Sequence, residues 1–309
     1  MKALLGRPVH VTFLGTRLTR PVVACCRHVD AFLAYEDLAD ALTEGLRATE
    51  AEVILHVFPR REIAWAALRA GIPRRVGTRN RLVHWGTCNR LLALSRLRSD
   101  LHESQLNLRF LEAFGVRSTF SLPEIADFYG FAPTTDLPAW LRPRLRSDRR
   151  NLIIHPRSNG SAREWSLSNV LALCQQLSPD QYQLFLTGTA AEQAACRELL
   201  DALPAHAHDL MGQLSLGELI ALLAAADGTL ANSTGPVHLS AALGRPTLGL
   251  YPTARPMHPG RWQPVGYRAR ALTGTPACAG CSPTACACVA AISVGAVART
   301  LDELTAPAS

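Results

Sequence analysis

Lysine is almost missing from this chain: Lys2 is the only one among 309 residues, so nearly all of the 32 Lys plus Arg set against 25 acids is arginine. Arginine's planar fork suits bidentate recognition of phosphate and carboxylate. Long apolar runs are missing too, a run such as residues 219–226 being far short of the roughly 20 needed to span a bilayer. The opening MKALLGRPVHVTF has no extended apolar core before a small-residue cleavage site, so no signal peptide is expected and a cytoplasmic location follows. Neither G-x-G-x-x-G nor G-x-x-x-x-G-K-[ST] occurs, which disfavours a redox dinucleotide fold and a P-loop. No basic patch interleaved with aromatics is evident, so nucleic acid is not an expected partner. The nine cysteines, an odd number, read as reduced thiols or metal ligands rather than a disulfide framework.

What is present is an alternation of short apolar runs and helical patterns in two blocks. In the first, residues 10–16, 31–35, 52–58 and 74–78 read as strands. Residues 36–49, 61–71 and 101–114 read as helices. The proline-bearing, arginine-rich stretch 136–150 reads as a linker between domain 1–135 and domain 151–309. The second block predicts strands over 151–155, 181–187, 228–231 and 247–251. Helices are predicted over 168–177, 190–203, 216–226, 236–243 and 294–304. Such alternation implies parallel strands with helices on both faces, hence two Rossmann-like halves.

Two strand-to-helix loops of the second block carry the chemistry. At LANSTGPVHLSAALGRP, Thr234 is placed to cap a helix, Pro236 suits its first turn, and His238 lies one turn beyond Thr234. The free N–H groups of such a turn and the positive end of the helix dipole favour an anion. An ordinary capped helix would have the same sequence signature. In PRSNGSAREW, Ser158, Asn159 and Arg163 offer hydroxyl, amide and guanidinium groups suited to phosphate oxygens. Glu192, in a first helical turn after Gly188, suits ribose hydroxyls or simply a helix N-terminus.

The ordered set formed by the loop ending Arg163-Glu164-Trp165, the segment Leu214-Ser215-Leu216, STGPVHLSAALGRPTLGLYP and HPGRW resembles glycosyltransferase family 9, the ADP-heptose:lipopolysaccharide heptosyltransferases. GTRNRLVHWGTCNR and SDLHESQLNL, earlier in the chain, are similar to one bacterial branch of it. The resemblance implies an α/β GT-B arrangement of two Rossmann-like domains facing across a cleft. It implies an inverting transfer of a heptose or related sugar from an ADP-sugar to a lipopolysaccharide core acceptor, at the inner face of the cytoplasmic membrane. It places Ser158, Asn159 and Arg163 against the donor diphosphate, Glu192 and Leu214 near adenosine, and the family's Asp-[Ser/Thr]-Gly-x-x-His motif on Ser233, Thr234, Gly235 and His238. On the same reading Arg60, Arg61, Arg81 and His84, with His102 beside them, face an anionic acceptor. No cofactor is implied for the transfer itself.

The chain departs from the family pattern in two places. Ser233 stands where an acid is usual, replacing a carboxylate by a neutral hydroxyl. The family's opening strand and Gly-Asp loop have no counterpart, so the first domain is expected to lack its first strand and helix, and no catalytic base is named. A catalytically impaired nucleotide-sugar or glycan-binding homologue is the alternative expectation. Finally, Cys278, Cys281, Cys286 and Cys288 form a C-x-x-C and a C-x-C within eleven residues. Four such thiolates fit a structural zinc or iron site, or else they pack a loop as reduced thiols.

Overall fold

The computed structural model describes residues 8–96, 99–255, 257–275 and 287–306. The chain divides into two compact units, Met1–Gly130 and Phe131–Ser309. In the first, β1 (Thr12–Gly15) pairs in parallel with β2 (Ala31–Ala34), and β3 (Val53–Leu55), β4 (Arg74–Thr78) and β5 (Arg90–Leu92) form a separate parallel sheet in that order.

β1 and β3 are not hydrogen-bonded to each other, yet both touch one cluster around Leu42, Leu46, Ala66, Ala67 and Ile72, through Leu14 and Ile54. A cavity of about 290 Å³ lies between Thr12 of β1 and Val53 and Leu55 of β3. The sheet of this unit is therefore split, with helices Leu42–Ala48 and Arg61–Arg69 covering one face of both parts. A helix predicted as one piece over 36–49 is interrupted by a 3₁₀ turn at Ala39–Ala41. The one predicted over 101–114 tightens to 3₁₀ geometry after Leu108. Helix Leu82–Thr87 and β5 are additional to the expected elements.

The second unit holds β6 (Arg150–His155), β7 (Tyr182–Leu186), β8 (Ala207–Asp209), β9 (Gly228–Asn232), β10 (Thr247–Tyr251) and β11 (Ala269–Thr273). They form one parallel sheet in the order β11-β10-β9-β6-β7-β8. Side chains alternate between its faces, as strand geometry requires. Leu152 and Ile154 of β6 and Leu184 and Leu186 of β7 join one core with Leu173, Val297 and Leu301 from the helices Leu167–Gln176 and Val294–Thr305. Ile153 and Phe185 point the other way, against Leu222 and Leu223 of helix Leu216–Ala225.

That two-sided burial is why these strands read as unbroken apolar runs. Fully burying each of these side chains contributes roughly 1.5–3 kcal/mol. The stretch 136–150, expected as a linker, belongs to the second unit, because Leu141 is fully buried with Ile153 and Phe185. Short β8 and edge strand β11 carry too little apolar pattern to stand out in the sequence. Among the described residues no helix is long and apolar enough to cross a membrane.

Candidate functional site

The strand order of the second unit reverses between β6 and β9, its first and fourth strands, and in open α/β sheets the crevice beyond the carboxyl ends at such a point is where ligands bind. The loop after β6 and the start of helix Gly235–Ala242 after β9 flank it. Asn232, the last residue of β9, ties the two together: its Oδ1 accepts from Trp165 N–H at 3.0 Å and its Nδ2 donates to the Pro156 carbonyl at 2.8 Å. Trp165 is itself buried, and its Nε1 donates to the Ile292 carbonyl at 2.9 Å, anchoring the end of the loop in the core.

The expected cap does not form. Thr234 occupies the N-cap position with extended backbone, but its hydroxyl donates backward to the Asn232 carbonyl at 3.2 Å. The Thr234 side chain makes no cap hydrogen bond to the first-turn N–H groups, and Pro236 has none to satisfy. The positive end of the helix is thus left open toward a cavity of about 400 Å³. Arg163, Ser233, Thr234, Gly235 and His238 line it, together with Ser161, Ala162, Pro252, Met257, Arg261 and Trp262. The buried Nε of Arg163 has no hydrogen-bond partner among the described residues, and the Arg261 guanidinium lies over the Trp262 ring at 5.3 Å. Burial pushes the Tyr251 phenol up, partly offset by a hydrogen bond with Ser233, and the phenol donates to the Trp262 carbonyl at 2.7 Å. Histidine, guanidinium and helix N-terminus, with no carboxylate among the lining side chains, are groups chemically suited to an anion.

Ser158 and Glu192 are engaged within the adjoining loop, whereas Asn159 is exposed and only its backbone N–H is held. The loop turns through two left-handed residues, Asn159 (φ 48°) and Gly160 (φ 74°), which an asparagine tolerates and a glycine favours. Glu164 organises it: its Oε1 accepts from Ser158 N–H and Oγ, each at 2.8 Å, and its Oε2 pairs with Arg157 at 2.7 Å. Glu192 accepts from Asn159 N–H at 2.8 Å and from Thr189 N–H and Oγ1 at 2.9 and 2.8 Å. Burial would raise the Glu192 carboxyl, but these donors outweigh it and hold it below the ordinary range. Burial lowers the neighbouring His155, opposed by the Glu192 charge. Leu214 packs against the core around Leu141 and Ile153 and does not line the cavity.

In the first unit Arg60, Arg61 and Arg81 are exposed, whereas His84 is fully buried with its Nδ1 accepting from Thr78 N–H at 2.9 Å, so its ring does not meet solvent. His102 caps the helix Glu103–Leu108. Cys278, Cys281 and Cys286 lie outside the described residues. Cys288 is buried, its Sγ accepting from Thr253 N–H at 3.4 Å. Among the described residues no group of three or more His, Cys, Asp or Glu side chains is placed to hold a metal. The residues missed from the sequence are Glu164, Met257, Arg261 and Trp262. The last two belong to HPGRW, a visible string whose place beside Arg163 nothing local announces.

Over residues 40–289 the sequence matches the profile of glycosyltransferase family 9 (heptosyltransferase). The chain belongs to that family. It is 32% identical over 117 residues to lipopolysaccharide heptosyltransferase 2 of Escherichia coli K12, a match covering 37% of this chain and 33% of that protein. With a putative glycosyltransferase of Haemophilus influenzae it shares 26% identity over 235 residues, covering 72% and 66% of the two. These matches thus span between a third and two thirds of the relatives' length.

Among solved structures, E. coli ADP-heptose lipopolysaccharide heptosyltransferase II superposes with a TM-score of 0.72 at 20% identity, covering 98% of this chain and 91% of that one. A family 9 glycosyltransferase from Veillonella parvula gives 0.73 at 15% identity, covering 96% and 88%. An E. coli heptosyltransferase solved with ADP gives 0.70 at 16% identity, covering 96% and 90%. The α/β fold with parallel sheets is that of the GT-B heptosyltransferase structures.

Proposed function

We propose that this family 9 chain is an inverting glycosyltransferase that moves a heptose or related sugar from an ADP-sugar to a lipopolysaccharide core acceptor, with the donor held by its second unit. The observation that carries the reading is the uncapped start of helix Gly235–Ala242, opening beside Arg163 into a cavity free of carboxylates. A diphosphate there would meet the first-turn N–H groups and the Arg163 guanidinium, which stabilise the charge that develops as the glycosyl C–O bond breaks. The acceptor hydroxyl attacks the anomeric carbon from the opposite face, gives up its proton to a base, and the nucleoside diphosphate leaves.

Ser158, Asn159 and Glu192 support this site through the loop they fix. Ser233, Thr234, Gly235 and His238 sit where the diphosphate and sugar meet, and Leu214 stays an indirect support for adenosine. Arg60, Arg61 and Arg81 are the proposed acceptor contacts, in a protein working at the cytoplasmic face of the inner membrane. The domain reading proposed with it is an acceptor unit followed by a donor unit. Solved relatives bound to ADP and to ADP-2-deoxy-2-fluoro heptose support the donor class.

Titration calorimetry with ADP and ADP-heptose tests the reading. Arg163→Ala should weaken ADP binding by roughly 10- to 100-fold, the weight of a charge-assisted hydrogen bond. Equal affinity in both proteins would remove the site. A second reading, binding without transfer, is favoured by the lack of any carboxylate in the cavity lining. It predicts tight ADP-heptose binding with no sugar release or transfer to core acceptor.

A further inference from the structure

We propose that the groove between helices Leu42–Ala48 and Arg61–Arg69 of the first unit is a second ligand site, one that holds a neutral saccharide. Its volume is about 630 Å³, within the roughly 300–1,000 Å³ of small-molecule clefts. Small side chains create that room: Ala39 stands at its rim, and the buried Ala66 forms its floor with Leu42.

The two walls carry opposite charge. Asp40 and Glu44 line one, while Arg61, Trp65 and Arg69, spaced four residues apart along one face of their helix, line the other. These charges do not neutralise one another. Glu62, the remaining lining carboxylate, is taken by Arg60 at 3.3 Å and by the Tyr35 hydroxyl at 3.5 Å. The Asp40, Glu44 and Arg69 side chains are exposed, and among the described residues none of them has a hydrogen bond or ion pair. Trp65, large and apolar, is 38% exposed between the two arginines.

That lining selects the occupant. A phosphate would face Asp40 and Glu44, and a polyamine would face Arg61 and Arg69, so either meets like charge. A sugar hydroxyl both donates and accepts, so a polyol satisfies carboxylates and guanidiniums together. The C–H face of a pyranose ring can cover the Trp65 indole, whose π face is electronegative. Asp40, Glu44, Trp65 and Arg69 take no part in the proposed transfer. The groove therefore goes beyond the glycosyl-transfer reading, since sugar is held there without turnover.

Titration calorimetry of the full chain with maltotriose, cellotriose and mannotriose, and in parallel with inorganic phosphate and spermidine, is the test. At least one trisaccharide is expected to bind with a Kd on the order of 1 mM, and saturating ADP should not displace it. Trp65→Ala and the pair Asp40→Asn/Glu44→Gln should each weaken that binding by about tenfold, with unchanged circular dichroism and ADP affinity. The proposal is overturned if no trisaccharide binds at concentrations on the order of 10 mM, if both variants bind like the wild type, or if ADP displaces the sugar. It is equally overturned if phosphate or spermidine binds more tightly and loses that binding in the same variants. ADP binding without saccharide binding would sink the groove and leave the donor reading standing, and the converse result would do the reverse.

Discussion

At the residue scale, short-range hydrogen bonding decides what the side chains of the second unit can offer a ligand. Ser158 looks in the sequence like a free phosphate-binding hydroxyl, but Glu164 takes both its N–H and its Oγ. Glu164→Gln keeps the shape and removes the charge that also holds Arg157, so the loop should loosen. The expected outcome is a stability loss of about 1–3 kcal/mol together with weaker ADP binding, read by urea denaturation and calorimetry.

A second residue-scale effect concerns His56, which burial, His84 and Arg75 push down to about 4. Its folded form binds a proton less readily than its unfolded form. Stability is therefore fully present above about pH 6.5 and declines as the pH falls through the window between that value and about 4. The loss is on the order of 3 kcal/mol at most, with His84, lowered mainly by burial, acting in the same direction. Urea melts at pH 7 and pH 5 should show the difference, and His56→Leu should flatten it; an equally steep slope in that variant would refute the assignment.

At the scale of elements, the start of helix Gly235–Ala242 depends on β9 more than on its own first turn. Asn232 fixes both the loop after β6 and the carbonyl to which the Thr234 hydroxyl turns. Asn232→Ala leaves the Trp165 N–H and the Pro156 carbonyl without their partner. It should cost roughly 1–3 kcal/mol and lower ADP affinity, whereas Ser168→Ala, at an exposed helix position, should do neither. Equal nucleotide affinity in Asn232→Ala would show that the loop holds its shape without β9.

At the scale of the whole molecule, the two units differ in how fully their strands are covered. All five residues of β7, β9 and β10 are buried, whereas β1 and β3 contain no buried residue and their sheets remain separate. Calorimetric unfolding should therefore give two transitions, the lower one belonging to the first unit, and ADP should raise only the upper. Limited proteolysis should cut first within residues 8–130. A single transition raised as a whole by ADP would contradict this.

Much of the fold was legible in the sequence because burial leaves a period. Strands covered on both faces read as apolar runs such as Leu152, Ile153 and Ile154, and the helices between them show their buried stripes. The glycine, proline and histidine of the second unit likewise marked a helix entrance suited to an anion. Tertiary structure alone decided whether that entrance is open. A threonine hydroxyl can turn forward to cap or backward to a carbonyl with similar local geometry, and the choice falls to what Asn232 and the reversed strand order bring beside it. The same packing brought Arg261 and Trp262 to Arg163, and it left Leu18, Phe58, Leu82 and Trp85 exposed, since sequence period marks which face a side chain occupies but not which neighbour covers it.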